Sequence, residues 1–83
     1  MSSRAILSPW VRAALPEDTR HLFRLIPDDY HVELYGRSSR GPWQAIVKRG
    51  HHRELARMTM KSLDAVVRWA IETANADEVS HAH

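Results

Sequence analysis

The sequence predicts a small α+β domain of order α-β-β-β-α, a three-stranded antiparallel meander with a C-terminal amphipathic helix packed on one face. Three observations predict it. Apolar residues from Leu63 to Ala74 recur at helical spacing. Residues 30–35 and 43–48 alternate with period two, and glycines stand where the strand connections must turn. The 83 residues form a single domain, which at this size buries only about 60–65% of the surface it exposes when unfolded.

Residues 1–8 are expected to be flexible and residues 9–27 to form short helices. Ser8 precedes Pro9 as an N-cap precedes proline at the first helical position, where the missing N–H costs nothing. Pro16 disfavours helical geometry at Leu15 and can itself open a second helix, with Glu17 and Asp18 in the first turn, where the macrodipole favours anions. Leu22, Phe23, Leu25 and Ile26 give that helix its apolar stripe, and Pro27 stops it.

The sheet is expected over residues 30–60. After the Asp28-Asp29 turn, Tyr30, Val32 and Leu34 alternate with His31, Glu33 and Tyr35. A loop from Gly36 to Pro42 leads to a second run, with Trp43, Ala45 and Val47 on one face and Gln44, Ile46 and Lys48 on the other. Arg53 to Met60 fits two patterns. As a strand it turns Ala56, Met58 and Met60 inward and Arg53, Leu55, Arg57 and Thr59 outward; as a helix its apolar residues run on into the C-terminal stripe. The strand is preferred, because Gly50-His51-His52 suits a hairpin turn and Ser62 is a good N-cap for a helix over 62–76. Residues 77–83 read as a polar tail.

Composition excludes several classes. Hydrophobic residues at 43% and charged residues at 27% are ordinary globular proportions. The chain has no cysteine, which removes disulfide scaffolds, thiolate catalysis and Cys-ligated metals. No apolar run is long enough to span a membrane, and Pro9 and Arg12 interrupt what would be a signal sequence, so a cytoplasmic location is expected. Neighbouring His51 and His52 point apart in a strand or turn, and His81 and His83 stand two apart in the tail, so no metal site is expected. His21, Asp28, Asp29, His31 and Glu33 are the acid–base candidates, but Asp28-Asp29 is ordinary turn chemistry. Ser38 and Ser39 lack a nucleophile elbow, and Gly36 and Gly41 do not make a phosphate loop. The expectation is a non-catalytic chain without a cofactor, its three tryptophans, Trp10, Trp43 and Trp69, serving the core or its edge.

Charge is unevenly placed. Arg37, Arg40, Lys48, Arg49, Arg53, Arg57 and Lys61 face only Glu54 within their segment, so it carries six net positive charges against a whole-chain charge of +2. With Lys48, Arg53 and Arg57 on the outward strand positions beside Tyr35, Ile46 and Leu55, the expected contact set is Arg37, Arg40, Lys48, Arg49, Arg53 and Arg57 with those three apolar members. A basic surface of this kind fits an acidic protein surface. Nucleic acid is the alternative partner, and a homodimer through the uncovered sheet face is a third.

Two resemblances follow from this build. The α-β-β-β-α order, the Gly41-Pro42 step and the serine-capped last helix resemble the double-stranded-RNA-binding domain. Trp43-Gln44 stands where that family has its histidine, however, and Lys61-Ser62-Leu63-Asp64 puts one lysine and an acid where its lysine cluster belongs. In size and architecture the chain is also similar to small phage-encoded host-inhibitor proteins of the anti-CRISPR type. That resemblance implies a protein that docks on a macromolecular partner and blocks a surface.

Overall fold

The computed structural model describes residues 5–50 and 53–81. The proposed His51-His52 turn and His83 lie outside the described residues. In chain order the elements are β1 (Ala5–Leu7), α1 (Pro9–Ala14), α2 (Glu17–Arg20), a 3-10 turn (His21–Leu25), β2 (Tyr30–Gly36), β3 (Trp43–Arg49), β4 (Arg53–Met60) and α3 (Leu63–His81).

The sheet has four strands, not three, in the order β1-β2-β3-β4, and it is mixed. β1 runs parallel to β2, pairing Ala5 with Val32 and Leu7 with Leu34. Residues 5–7, expected to fray, are therefore an edge strand. Parallel neighbours need a crossover, and α1, α2 and the 3-10 turn are that crossover. Ser8 fastens its start: its N–H donates to Leu34 O at 3.0 Å, and its hydroxyl accepts from Gly36 N at 3.3 Å instead of capping α1. The single helix expected from Glu17 to Ile26 is α-helical only to Arg20 and then tightens to 3-10 geometry. Ile26 itself is extended (φ −71°, ψ 124°), as the following Pro27 requires.

β2, β3 and β4 are antiparallel neighbours, which decides Arg53 to Met60 in favour of the strand. Its register breaks once. Val47 pairs with Ala56 but Lys48 pairs with Glu54, so Leu55 is an extra, bulged residue. The bulge reverses the expected facing at two positions. Leu55 packs against the core, and Arg53 falls on the row of Arg49 and Tyr30, the helix side of the sheet.

α3 begins where Ser62 predicts: Ser62 Oγ accepts from Ala65 N at 3.2 Å, and its carbonyl accepts from Val66 N. Leu63, Val66, Val67, Ala70, Ile71 and Ala74 bury its stripe against Val32, Leu34, Ala45 and Val47, while Val11, Leu15 and Ile26 close the same core from the crossover. The helix does not end near Ala76. It runs to His81, and the buried Tyr30 donates its hydroxyl to Asp77 Oδ2 at 2.6 Å. Burial first, and then that bond, push the Tyr30 hydroxyl above the usual tyrosine range.

Candidate docking surface

Val11 of α1, Leu22 and Phe23 of the 3-10 turn and the apolar stripe of α3 pack into the core on one face of the sheet, and no described element covers the other. Registers place three rows there: His31, Lys48 and Glu54; then Ile6, Glu33, Ile46 and Arg57; then Tyr35, Gln44 and Thr59. Ile6 is 52% exposed and Tyr35 39%.

The cations on this face are answered within it. Lys48 Nζ lies 2.6 Å from Glu33 Oε2, and Glu33 also accepts the Tyr35 hydroxyl. Lys48, then Tyr35, hold the Glu33 carboxyl below the usual carboxylate range, and Glu33 in turn raises the Tyr35 hydroxyl. The Arg57 guanidinium binds both carboxylate oxygens of Glu54. Ile46 sits between Glu33 and Arg57 across the sheet, flanked by Gln44 and Lys48 along its strand, and is only 8% exposed. The long polar side chains around it shield it as their alkyl stems cover apolar surface. Ile46 is therefore not an open apolar contact as the sequence suggested.

The expected contact set thus divides into three places. Lys48, Arg57, Tyr35 and Ile46 share the open face. Arg49 and Arg53 stand at the opposite end of the sheet from the β2–β3 loop, on the helix side, where Arg49 lies 6.0 Å from the Tyr30 ring centre and 3.9 Å from Asp29. Leu55 is part of the core wall.

Arg37 and Arg40 form the third place, on the β2–β3 loop. Ser38 shapes that loop by donating its hydroxyl to Gly41 O at 2.8 Å and accepting from Arg40 N at 3.2 Å. Gly41 has φ +86°, a conformation that favours glycine, and its position lies against Trp43 Nε1. Both arginines are exposed, and neither makes an ion pair with a described residue. The Trp43–Met60 pair brings Lys61 to the same end of the sheet. A hollow of about 170 Å³ opens there, lined by Tyr35, Gly36, Arg37, Pro42, Gln44 and Thr59.

Gln44, Thr59 and Pro42 were not singled out by the charge pattern, although the outward alternation of Gln44 and Thr59 was visible in it. Ile6 was hidden because three residues carry no readable period. Among the described residues no group of three or more His, Asp or Glu side chains is placed to hold a metal ion, and no helix is long and apolar enough to cross a membrane. No family model matches the chain, and neither a curated protein nor a solved structure matches it.

Proposed function

We propose that this chain is a non-catalytic docking module that binds an acidic protein surface and modulates its partner by occupying that surface. The observation that carries the reading is the rim of the open face. Arg37 and Arg40, with no ion pair among the described residues, stand on the loop beside the exposed Tyr35 and a hollow that Arg37 helps to line with Pro42, Gln44 and Thr59, on a sheet face left without a covering layer. Desolvating an already paired cation gains little, so the unanswered arginines are the groups with most to offer an incoming carboxylate.

The same geometry weighs against a phosphate-tracking surface. Affinity for nucleic acid grows with the number of phosphates that cations neutralise. Here the basic segment is split between two ends of the sheet, and Lys48 and Arg57 are held by Glu33 and Glu54. In this reading the protein acts in the cytoplasm, where its partner is found.

The test is affinity capture from native host lysate with nuclease treatment, comparing the wild type with Arg37→Glu/Arg40→Glu and with Arg53→Glu at the far end. The double reversal should lower capture of the specific partner by roughly tenfold or more, through lost steering and direct charge repulsion. Arg53→Glu should leave capture unchanged. Capture indifferent to the double reversal, or abolished by nuclease, would refute the reading.

A further inference from the structure

We propose that β4 is a dimer seam, on which a second copy of this chain pairs antiparallel along Ala56–Met60 about a two-fold axis at Met58. The proposal stands on the strand edge and is independent of the docking surface.

β4 is the outermost strand on its side of the sheet and has eight residues, whereas the opposite edge, β1, has three. Long edge strands offer unpaired backbone groups to another chain, and proteins guard them with bulges, prolines and charges. Most of the guards on β4 are in its first half: the Leu55 bulge, Arg53 and Glu54. From Ala56 to Met60 the register with β3 is unbroken and there is no proline. The one charge in that run, Arg57, is drawn back to Glu54 by an ion pair on its own strand. A ladder of five residues is about 17 Å long at roughly 3.4 Å per residue.

The run is complementary to itself in one register. About Met58, the methionine meets its twin, Ala56 meets Met60 of the second copy, and Arg57 meets Thr59, so no like charges face each other. An axis at Arg57 would oppose two guanidinium groups, and one at Thr59 would set Arg57 against Lys61; like charges directly opposite are destabilising. Burial points to the same centre. Met58 is on the core-side face yet 37% exposed, and Leu55, Met60 and Trp69 are only partly covered where they pack on the core. Trp69 lies on the flank of α3 turned away from the 3-10 turn, since Asn75 on the other flank donates to Leu25 O. Antiparallel pairing would cover Met58 with its twin and join two four-stranded sheets into one of eight.

Sedimentation equilibrium on the intact chain tests this. Across a concentration series the wild-type mass should rise from 9.6 kDa toward twice that value. Met58→Lys should hold it at 9.6 kDa with an unchanged far-UV spectrum, the like-charge pair weakening association by about a hundredfold or more. Because the chain has no cysteine, single thiols report the register. Under diamide, Met58→Cys should give a disulfide-linked dimer several times faster than Arg57→Cys, whose twin lies across from Thr59. A wild type that stays monomeric to millimolar concentration refutes the seam, as does a dimer that Met58→Lys leaves intact. Equal cross-linking of the two cysteine variants refutes the register.

Discussion

Replacing Glu33 by Gln tests whether charge holds the open face together. Glu33 keeps only 13% of its side chain exposed and takes both the Lys48 ammonium and the Tyr35 hydroxyl. Glutamine preserves the shape and one acceptor, so the loss is the difference between a charge-assisted and a neutral bond at Lys48, plus part of the bond from Tyr35. Charged-group hydrogen bonds contribute about 1.5–3 kcal/mol and neutral ones about 1 kcal/mol. The net cost of Glu33→Gln at neutral pH is therefore about 1–1.5 kcal/mol, or roughly 5–10 °C in Tm for a domain of this size. The sign of the pH dependence follows from the depressed Glu33 pKa. A carboxylate whose folded pKa lies below its unfolded value, about 4.3, contributes stability present above the unfolded value and lost as pH falls through the folded one. Asp64 is depressed too, by Arg68 with Thr19, and titrates alike in both proteins, whereas Glu54, depressed mainly by Arg57, feels the Glu33 charge only as the smallest of its causes. Urea denaturation of wild type and variant at neutral pH and near pH 3 should thus show a gap that narrows on acidification, because pH 3 lies more than one unit below the unfolded value, where the contribution is already declining toward its loss at the folded one. A gap of equal size at both pH values would mean that the variant loses packing and not charge, and would refute the reasoning.

Gly36→Ala should destabilise the domain by about 2–3 kcal/mol through overpacking. The new Cβ would stand 2.6 Å from Trp43 Cε3, on a ring 5% exposed and fixed in the core wall; a change within 0.5 kcal/mol by denaturant titration, about the scale of a neutral surface substitution, would contradict that. Tyr30→Phe removes the hydroxyl bonded to Asp77 and should cost about 1–2 kcal/mol. Its amide exchange should accelerate mainly over residues 77–81, the last turn of α3, and uniform acceleration along the helix would show that the bond does not fasten that end.

How much of this was legible depended on whether a residue's neighbours in sequence decide its place. β2, β3 and the stripe of α3 are regular, so alternation and helical spacing name their buried residues directly: Tyr30, Val32, Leu34, Trp43, Ala45 and Val47 all lie in the core. Ser62 capped as expected because capping is local. β1 was not legible, since Ala5–Leu7 is stabilised by pairing with a strand more than twenty residues away and shows no period of its own. The end of α3 was missed for a similar reason. The apolar stripe stops at Ala74, but Tyr30 reaches Asp77 from a distant strand, and no glycine or proline interrupts the helix. The basic contact set failed at the level of register. Sequence shows that cations outnumber acids between Arg37 and Lys61, yet only strand pairing reveals that Lys48 lies beside Glu33 from outside that segment.

The bulge at Leu55 sets what β4 presents on both faces of the sheet. A strand's side chains alternate with a period of two, so one extra residue exchanges inside for outside for everything beyond it. Without the bulge, either Arg53 would join the open face and Leu55 with it, or Ala56, Met58 and Met60 would turn outward and expose an apolar row. With it, Ala56, Met58 and Met60 face the core, Leu55 joins them, and Arg53 is carried to the helix side beside Arg49. The open face then carries two cations and two acids in paired positions, Lys48 with Glu33 and Arg57 with Glu54. Among the described residues, the cations near that face without an ion pair are Arg37 and Arg40 on the loop and Lys61 at the same end of the sheet, and the regular half of β4 is left as an edge whose core-side residues are apolar. One inserted residue thereby leaves the unpaired cations at the rim of the sheet, where the proposed docking would use them, and leaves the regular half of β4 as the edge on which the proposed dimer would form.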